Sequence, residues 1–145
     1  MTVHLLKMCV GIDSVRHLRN AQRHRLERMA AAGEPAMLRH WTRNRPRRAA
    51  EVCDGGSIYW IIKGQIRVRQ RITDIEVVAD RHAAKRCALV LDTELVETAP
   101  RPARPIQGWR YLEPVDAPPD RGSVPDDAED MPETMARELQ DLGLL

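Results

Sequence analysis

The stretch Ser57 to Ile72, SIYWIIKGQIRVRQRI, constrains the fold more than any other part of the chain. It begins after a Gly55-Gly56 turn signal, runs apolar to Ile62, passes Lys63-Gly64 and then alternates strictly, the pattern of extended chain with a covered face. Two strands joined near Lys63-Gly64, or one long strand bent at Gly64, account for it. The alternation predicts Ile66, Val68 and Ile72 on one face and Arg67, Arg69 and Arg71 on the other, with Gln70 interrupting the apolar set. The chain is therefore built around sheet, and its 145 residues suffice for one ordinary domain.

Other elements follow from local signals. His4–Ile12 reads as a buried strand. Asp13 or Ser14 supplies an N-cap, and Val15, Leu18, Leu26 and Met29 then keep helical spacing until Gly33 ends the helix. The rest of its surface carries Arg16, Arg19, Arg23, Arg25 and Arg28 against Glu27 alone, a basic face that suits phosphate or simply solvent. A strand at Met37–Thr42 and a short helix after Pro46 come next. Beyond the central stretch, strands are expected around Asp74–Val78 and Cys87–Leu91, with a polar loop over Asp80–Arg86. The Pro-spaced PRPARP then reads as an extended, sheet-free connector leading to the aromatic island Gln107–Tyr111. Residues 113–130 are acidic and Pro-rich, as in a mobile linker. From Asp130 the chain restarts as an amphipathic helix with Met131, Met135, Leu139 and Leu142 on one face. The domain expectation is thus 1–112 as body, 113–130 as linker and 131–145 as a docking helix.

Charge is unevenly placed. Residues 1–71 hold 15 basic and 5 acidic side chains, residues 72–112 six of each, and residues 113–145 two basic and ten acidic. Twenty of the 23 basic residues are Arg, whose planar fork matches phosphate or carboxylate. A basic body with an acidic tail points to an anionic partner or to self-masking; the alternative is that tail and body merely neutralise each other. No segment has the length of apolar chain that a membrane span or signal peptide requires, and Cys9, Cys53 and Cys87 form no metal or disulfide pattern. These observations give a cytoplasmic expectation with reduced thiols.

The proposed binding surface is the arginine row. Alternate residues on a strand lie roughly 6.6 Å apart, close to the spacing of phosphates along an extended nucleic-acid strand. Arg67, Arg69 and Arg71, with Lys63 at their start, would track the backbone. Tyr59, Trp60, Trp109 and Tyr111, with Arg110 between the last two, would stack bases if they project outward and fill the core if they project inward. Adjacent Tyr59 and Trp60 must face opposite ways, one into the core and one near a pocket. The structural alternative for the row is pairing with Asp74, Glu76, Asp92 or Glu94 on neighbouring strands.

Catalytic motifs are absent: no GxSxG, GxxxxGK[ST], GxGxxG or HExxH occurs. His17 and His24 share a helix face but stand about 10.5 Å apart in rise, too far for one metal. Cys53 and Ser57 beside Gly55-Gly56 resemble a nucleophile with an anion nest but lack a base placed by sequence. Asp92-x-Glu94-x-x-Glu97 is either a ligand cluster or an exposed acidic turn. No cofactor and no metal are expected.

The segments MTVHLLKMCVGIDS, DGGSIYWIIKGQIRVRQRI, RCALVLD and PIQGWRYL, with the terminal MPETMARELQDLGL, resemble a family of short bacterial proteins, the domain of unknown function numbered fourteen eighty-nine. That resemblance implies no activity. A weaker one, to the small β-barrels of the PUA and ASCH group, rests on the strand-rich order around SIYWIIKGQIRVRQRI and the late aromatic-Arg motif. It implies RNA or modified-base binding in a shallow basic pocket near Trp60, Arg67, Arg69 and Trp109.

The fold expectation is α+β, a small curved sheet or partly closed β-barrel with an N-terminal basic helix and a C-terminal amphipathic helix. The functional expectation is a non-enzymatic RNA-binding module using Lys63, Arg67, Arg69 and Arg71 for phosphate. The alternatives are a small enzyme or ligand-binding protein with a pocket at Cys53, Ser57, Asp92 and Trp109, and a protein-interaction module whose acidic tail covers the basic face.

Overall fold

The computed structural model describes residues 1–79 and 85–123. In chain order the elements are β1 (His4–Met8), α1 (Val15–Ala31), β2 (Leu38–Thr42), α2 (Ala49–Cys53), β3 (Ser57–Ile62), β4 (Gln65–Ala79), β5 (Lys85–Pro102), β6 (Trp109–Leu112), a 3-10 turn at Pro114–Asp116 and β7 (Asp120–Ser123). The expected helix 131–145 and the end of the expected linker lie outside the described residues. The strands form one mixed sheet of order β2-β5-β4-β3-β1-β6, with β7 added to β5. β1 runs parallel to β3, and the other pairings are antiparallel.

Local chemistry explains the elements. Ser14 caps α1, its Oγ accepting the His17 N–H at 3.0 Å, and the helix ends where Gly33 turns left-handed at φ 73° and Glu34 N–H returns to the Met29 carbonyl. Lys63 and Gly64 both have positive φ (49° and 77°), the two-residue turn whose twist matches a hairpin. That turn fixes Ile62 opposite Gln65.

The hairpin then departs from simple alternation. Ile61 pairs with Ile66 but Trp60 pairs with Val68, so Arg67 is an extra residue on β4. This bulge turns the strand over. Ile66 joins Tyr59 and Ile61 on the convex face, while Val68 and Ile72 join Ile58, Trp60 and Ile62 on the concave one. The expected set of Ile66, Val68 and Ile72 on one face is thereby corrected, and Gln70, fully buried, belongs to the concave face.

All six residues of β3 are buried because both faces of the sheet are covered. On the concave face α1 lays Val15 and Leu18 against Leu5, Leu38, Leu89 and Leu91. On the convex face the chain from Ala103 to Ala117 covers Tyr59, Ile61 and Ile66. Removing each such aliphatic side chain from water contributes roughly 1.5–3 kcal/mol.

Two expectations about the later chain are also corrected. The expected further strand near Asp74–Val78 is the second half of the long β4. The expected strand at Cys87–Leu91 is present as the beginning of β5, which takes in Lys85 and Arg86 of the expected polar loop; residues 80–84 of that loop lie outside the described residues. β5 continues through Pro100 to Pro102 rather than becoming a sheet-free connector. Proline's fixed φ is compatible with extended chain, and its missing N–H is tolerated beside the register shifts that β5 makes here. Within 113–130, the described part contains the 3-10 turn and β7, which pairs with Val96–Thr98.

The sheet curls until its two ends meet without a ladder. Trp109 on β6 donates its indole N–H to the Asn44 carbonyl just beyond β2, at 3.0 Å. The result is a curved, unclosed α+β sheet with a seam between β2 and β6. Among the described residues no helix is long and apolar enough to cross a membrane.

Candidate functional site

The arginine row does not form an open track. Arg67, at the bulge, is 6% exposed and lies 3.9 Å from Glu97. Arg69 is clamped by Asp120, with Nε and Nη2 each 2.7 Å from a carboxylate oxygen, and its Nη1 reaches Ser57 Oγ at 3.0 Å. Of the three arginines of the row only Arg71 is exposed; Lys63, at the hairpin tip, has Asp13 3.8 Å away. Glu97 and Asp120 engage this row, and Glu94 acts electrostatically on Arg69.

The Arg69–Asp120 clamp organises its surroundings. The guanidinium holds the Asp120 carboxyl below its ordinary pKa. His4 Nδ1 accepts the Ser57 N–H at 3.0 Å, and its ring meets the edge of Tyr59 at 5.0 Å. Burial, reinforced by Arg69, lowers the His4 pKa and keeps the imidazole neutral. Sequence reasoning found no histidine near Ser57 because the parallel β1–β3 pairing that brings them together is long-range.

Tyr59 and Trp60 are both buried, on opposite faces. Trp60 lies in the core and beside a cleft, held by an indole N–H to Gln70 Oε1 at 3.3 Å and by the edge of His40 at 5.0 Å. Trp109 and Tyr111 pack edge to face at 4.9 Å. The Tyr111 hydroxyl accepts the Arg48 N–H, and the Arg48 guanidinium sits 5.4 Å above the ring while bridging Glu51 and Glu113. Arg110 is exposed on the other side of β6, opposite Leu6.

The residue missed from sequence is Lys7. It is the register partner of Trp60 across β1–β3 and of Trp109 across β1–β6, so it projects from the concave face between two indoles. It makes no ion pair among the described residues. Two clefts meet at Lys7. One, about 250 Å³, follows the seam past Trp41, Arg43, Asn44, Gln107 and Trp109. The other, about 220 Å³, lies between α1 and the sheet and is lined by Leu18, Gln22, Arg25, His40, Trp60 and Leu91, among others. His40 is desolvated and faces the charges of Lys7 and Arg25, which pushes its pKa down to about 4. Its Nε2 is buried without a hydrogen-bond partner among the described residues.

The pocket expected at Cys53, Ser57, Asp92 and Trp109 is not assembled by either cleft. Ser57 is fully buried with its N–H and Oγ engaged, and burial raises the Cys53 thiol pKa, which disfavours thiolate. Gly55-Gly56 is no anion nest: the Gly56 N–H is spent on the Val52 carbonyl, and a Cβ there would lie 2.2 Å from that oxygen. Asp92 lies within β5, where its carbonyl accepts from Gln70 and its carboxylate from the Glu94 N–H. Among the described residues no group of three His, Cys, Asp or Glu is placed to hold a metal.

Neither a curated protein nor a solved structure matches the chain, so the PUA and ASCH resemblance carries no further argument. The model of the family described as Protein of unknown function (DUF1489) matches residues 5–145, nearly the whole length, and the chain belongs to that family.

Proposed function

We propose that this is a cytoplasmic, non-enzymatic module that binds single-stranded RNA at the seam of the curled sheet rather than along the β4 arginines. The observation that carries the reading is Lys7, without an ion pair among the described residues and placed between Trp60 and Trp109. Trp41 and Arg43 border the same seam cleft, both are exposed, and the Arg86 guanidinium lies 4.8 Å from the Trp41 ring, a further cation beside the indole. Cations beside accessible indoles are what a single strand requires, since guanidinium and ammonium hold phosphate while rings stack bases without demanding sequence. Here Trp41 and Trp109 are the accessible rings, and the buried Trp60 only forms the floor beneath Lys7. The exposed Arg16, Arg23 and Arg28 of α1 extend the positive field that would guide an anionic strand to the seam.

The test is binding of a labelled mixed-sequence single-stranded RNA at low and moderate salt. The reading expects affinity that falls steeply with salt and that Arg43→Glu weakens about tenfold or more. Salt-independent binding, or full affinity in Arg43→Glu, would contradict it.

A second reading has one observation in its favour. Acidic residues after Leu112 already engage basic ones, Glu113 with Arg48 and Asp120 with Arg69. An acidic segment that competes with nucleic acid for the basic body would continue this arrangement. Raised RNA affinity on removal of residues 124–145, in a protein that stays folded, would support masking.

A further inference from the structure

The cleft between α1 and the concave face has features that the RNA reading does not use. We propose that it is a binding site for a small carboxylate carrying a single apolar ring. Its floor is apolar, made by Leu18, Leu38, Leu91 and the buried indole of Trp60. At about 220 Å³ it exceeds the roughly 150 Å³ of a cavity that accepts benzene by enough for one polar substituent, and it is too small for an extended cofactor.

Polar groups are arranged around this floor with a charge preference. Lys7 on β1 and Arg25 on α1 approach from two walls, and neither forms an ion pair among the described residues. Arg39, on the same rim, differs: its Nε is bonded to Glu76 at 2.8 Å. Arg25 Nη1 donates to the Arg39 carbonyl at 3.2 Å, which holds the guanidinium at the rim. Both Lys7 and Arg25 act electrostatically on His40, so their fields overlap inside the cleft. An anion there meets two positive charges, and no carboxylate is among the described residues that line the cleft.

The back of the cleft is fixed in advance. Gln22 and Gln70 exchange two amide hydrogen bonds of 2.9 Å, and Gln70 also accepts from the Trp60 indole and donates to the Asp92 carbonyl. Gln22 is thereby pinned to the sheet with one N–H and one lone pair left for a ligand, and the indole that would contact the ring is locked. The buried, unbonded Nε2 of His40 leaves further hydrogen-bonding capacity in the lining.

Benzoate is the probe, and the Trp60 indole N–H resonance is the readout in the full chain. Wild type should bind benzoate with a Kd of roughly 0.1–1 mM and shift that resonance, whereas the neutral isostere benzamide should bind about tenfold more weakly or worse. Arg25→Gln, on the exposed helix surface, should weaken benzoate about fivefold. Ala21→Trp, also exposed and at the mouth, should abolish binding while circular dichroism shows the fold intact; Ala21→Leu serves if the larger side chain perturbs the helix. Arg43→Glu at the seam should leave benzoate binding unchanged, which separates failure of this inference from failure of the RNA reading. Absence of benzoate binding, equal binding of benzamide, or undiminished binding in a folded Ala21 variant would overturn the proposal.

Discussion

Lys7 and Trp109 stand opposite each other across the β1–β6 ladder, on the concave face and at the place where the curled sheet fails to close. Neither is conspicuous in the sequence as a pair, since more than a hundred residues separate them. Their meeting follows from β6 adding to the free side of β1 and from Trp109 reaching across to Asn44.

The Gln22–Gln70 amide pair should be a stability determinant. Gln70→Met keeps volume but strands the Trp60 N–H, the Asp92 carbonyl and the Gln22 amide in a buried site. Each orphaned group costs about 1–3 kcal/mol, so a loss of about 3 kcal/mol or more is expected by urea denaturation. Gln22→Met, which leaves Gln70 bonded to Asp92 and Trp60, should cost clearly less. Equal losses would mean that the helix-to-sheet pair, not the internal network, carries the effect.

The Arg69–Asp120 clamp should tie β7 to the sheet. Asp120→Ala is expected to cost about 1 kcal/mol, because the pair is bidentate but partly screened by solvent. The folded carboxyl has a lowered pKa, so this contribution is present above the ordinary Asp range and disappears as pH falls through the folded value. Hydrogen exchange at Val96–Thr98, the partners of β7, should rise in the variant. Unchanged exchange there would show that β7 is held by its ladder alone.

His40 makes acid stability predictable in sign. Its folded pKa of about 4 lies below the unfolded value near 6.5, so the unfolded chain binds more protons between them and stability falls as pH drops through that window. His4, lowered for the same main reason, adds a slope of the same sign. Between pH 7 and 4.5 the His40 contribution is on the order of 2 kcal/mol. His40→Phe should flatten the pH dependence by that amount in denaturation at pH 7, 5.5 and 4.5. A slope as steep as wild type would show that His40 titrates normally.

Gly56 packs where nothing larger fits. A Cβ would lie 2.2 Å from the Val52 carbonyl oxygen and 2.4 Å from that of Val3, both backbone atoms. Gly56→Ala should therefore cost about 2 kcal/mol or more by forcing α2 and the start of β1 apart. Gly64→Ala meets open space but at φ 77°, so it should cost about 1 kcal/mol through backbone strain alone. A reversal of that order in thermal melts would contradict the packing argument.

What was legible in the sequence was local. Ser14, Gly33, Lys63-Gly64 and the apolar β3 run announce their own conformations through capping, positive φ and burial, and the curved α+β sheet follows from their order. What was hidden depends on single residues or distant pairing. One extra residue at Arg67 takes that side chain out of the arginine row and buries it, with no change in composition or alternation to signal it, while Arg69 is clamped by the distant Asp120 and Arg71 stays exposed. Asp120 sits after Pro118-Pro119 in acidic, linker-like sequence and becomes sheet because Arg69 and the edge of β5 receive it. Lys7 was passed over inside an apolar strand, as an inward-facing cation has no local mark.

The most direct test of the account compares Lys7→Gln with Arg71→Gln in the salt dependence of single-stranded RNA binding. The account predicts that Lys7→Gln lowers affinity and reduces the slope of log affinity against log salt by about one phosphate contact, while Arg71→Gln leaves both unchanged. Loss of affinity in Arg71→Gln with Lys7→Gln indistinguishable from wild type would contradict the seam and return the binding surface to β4.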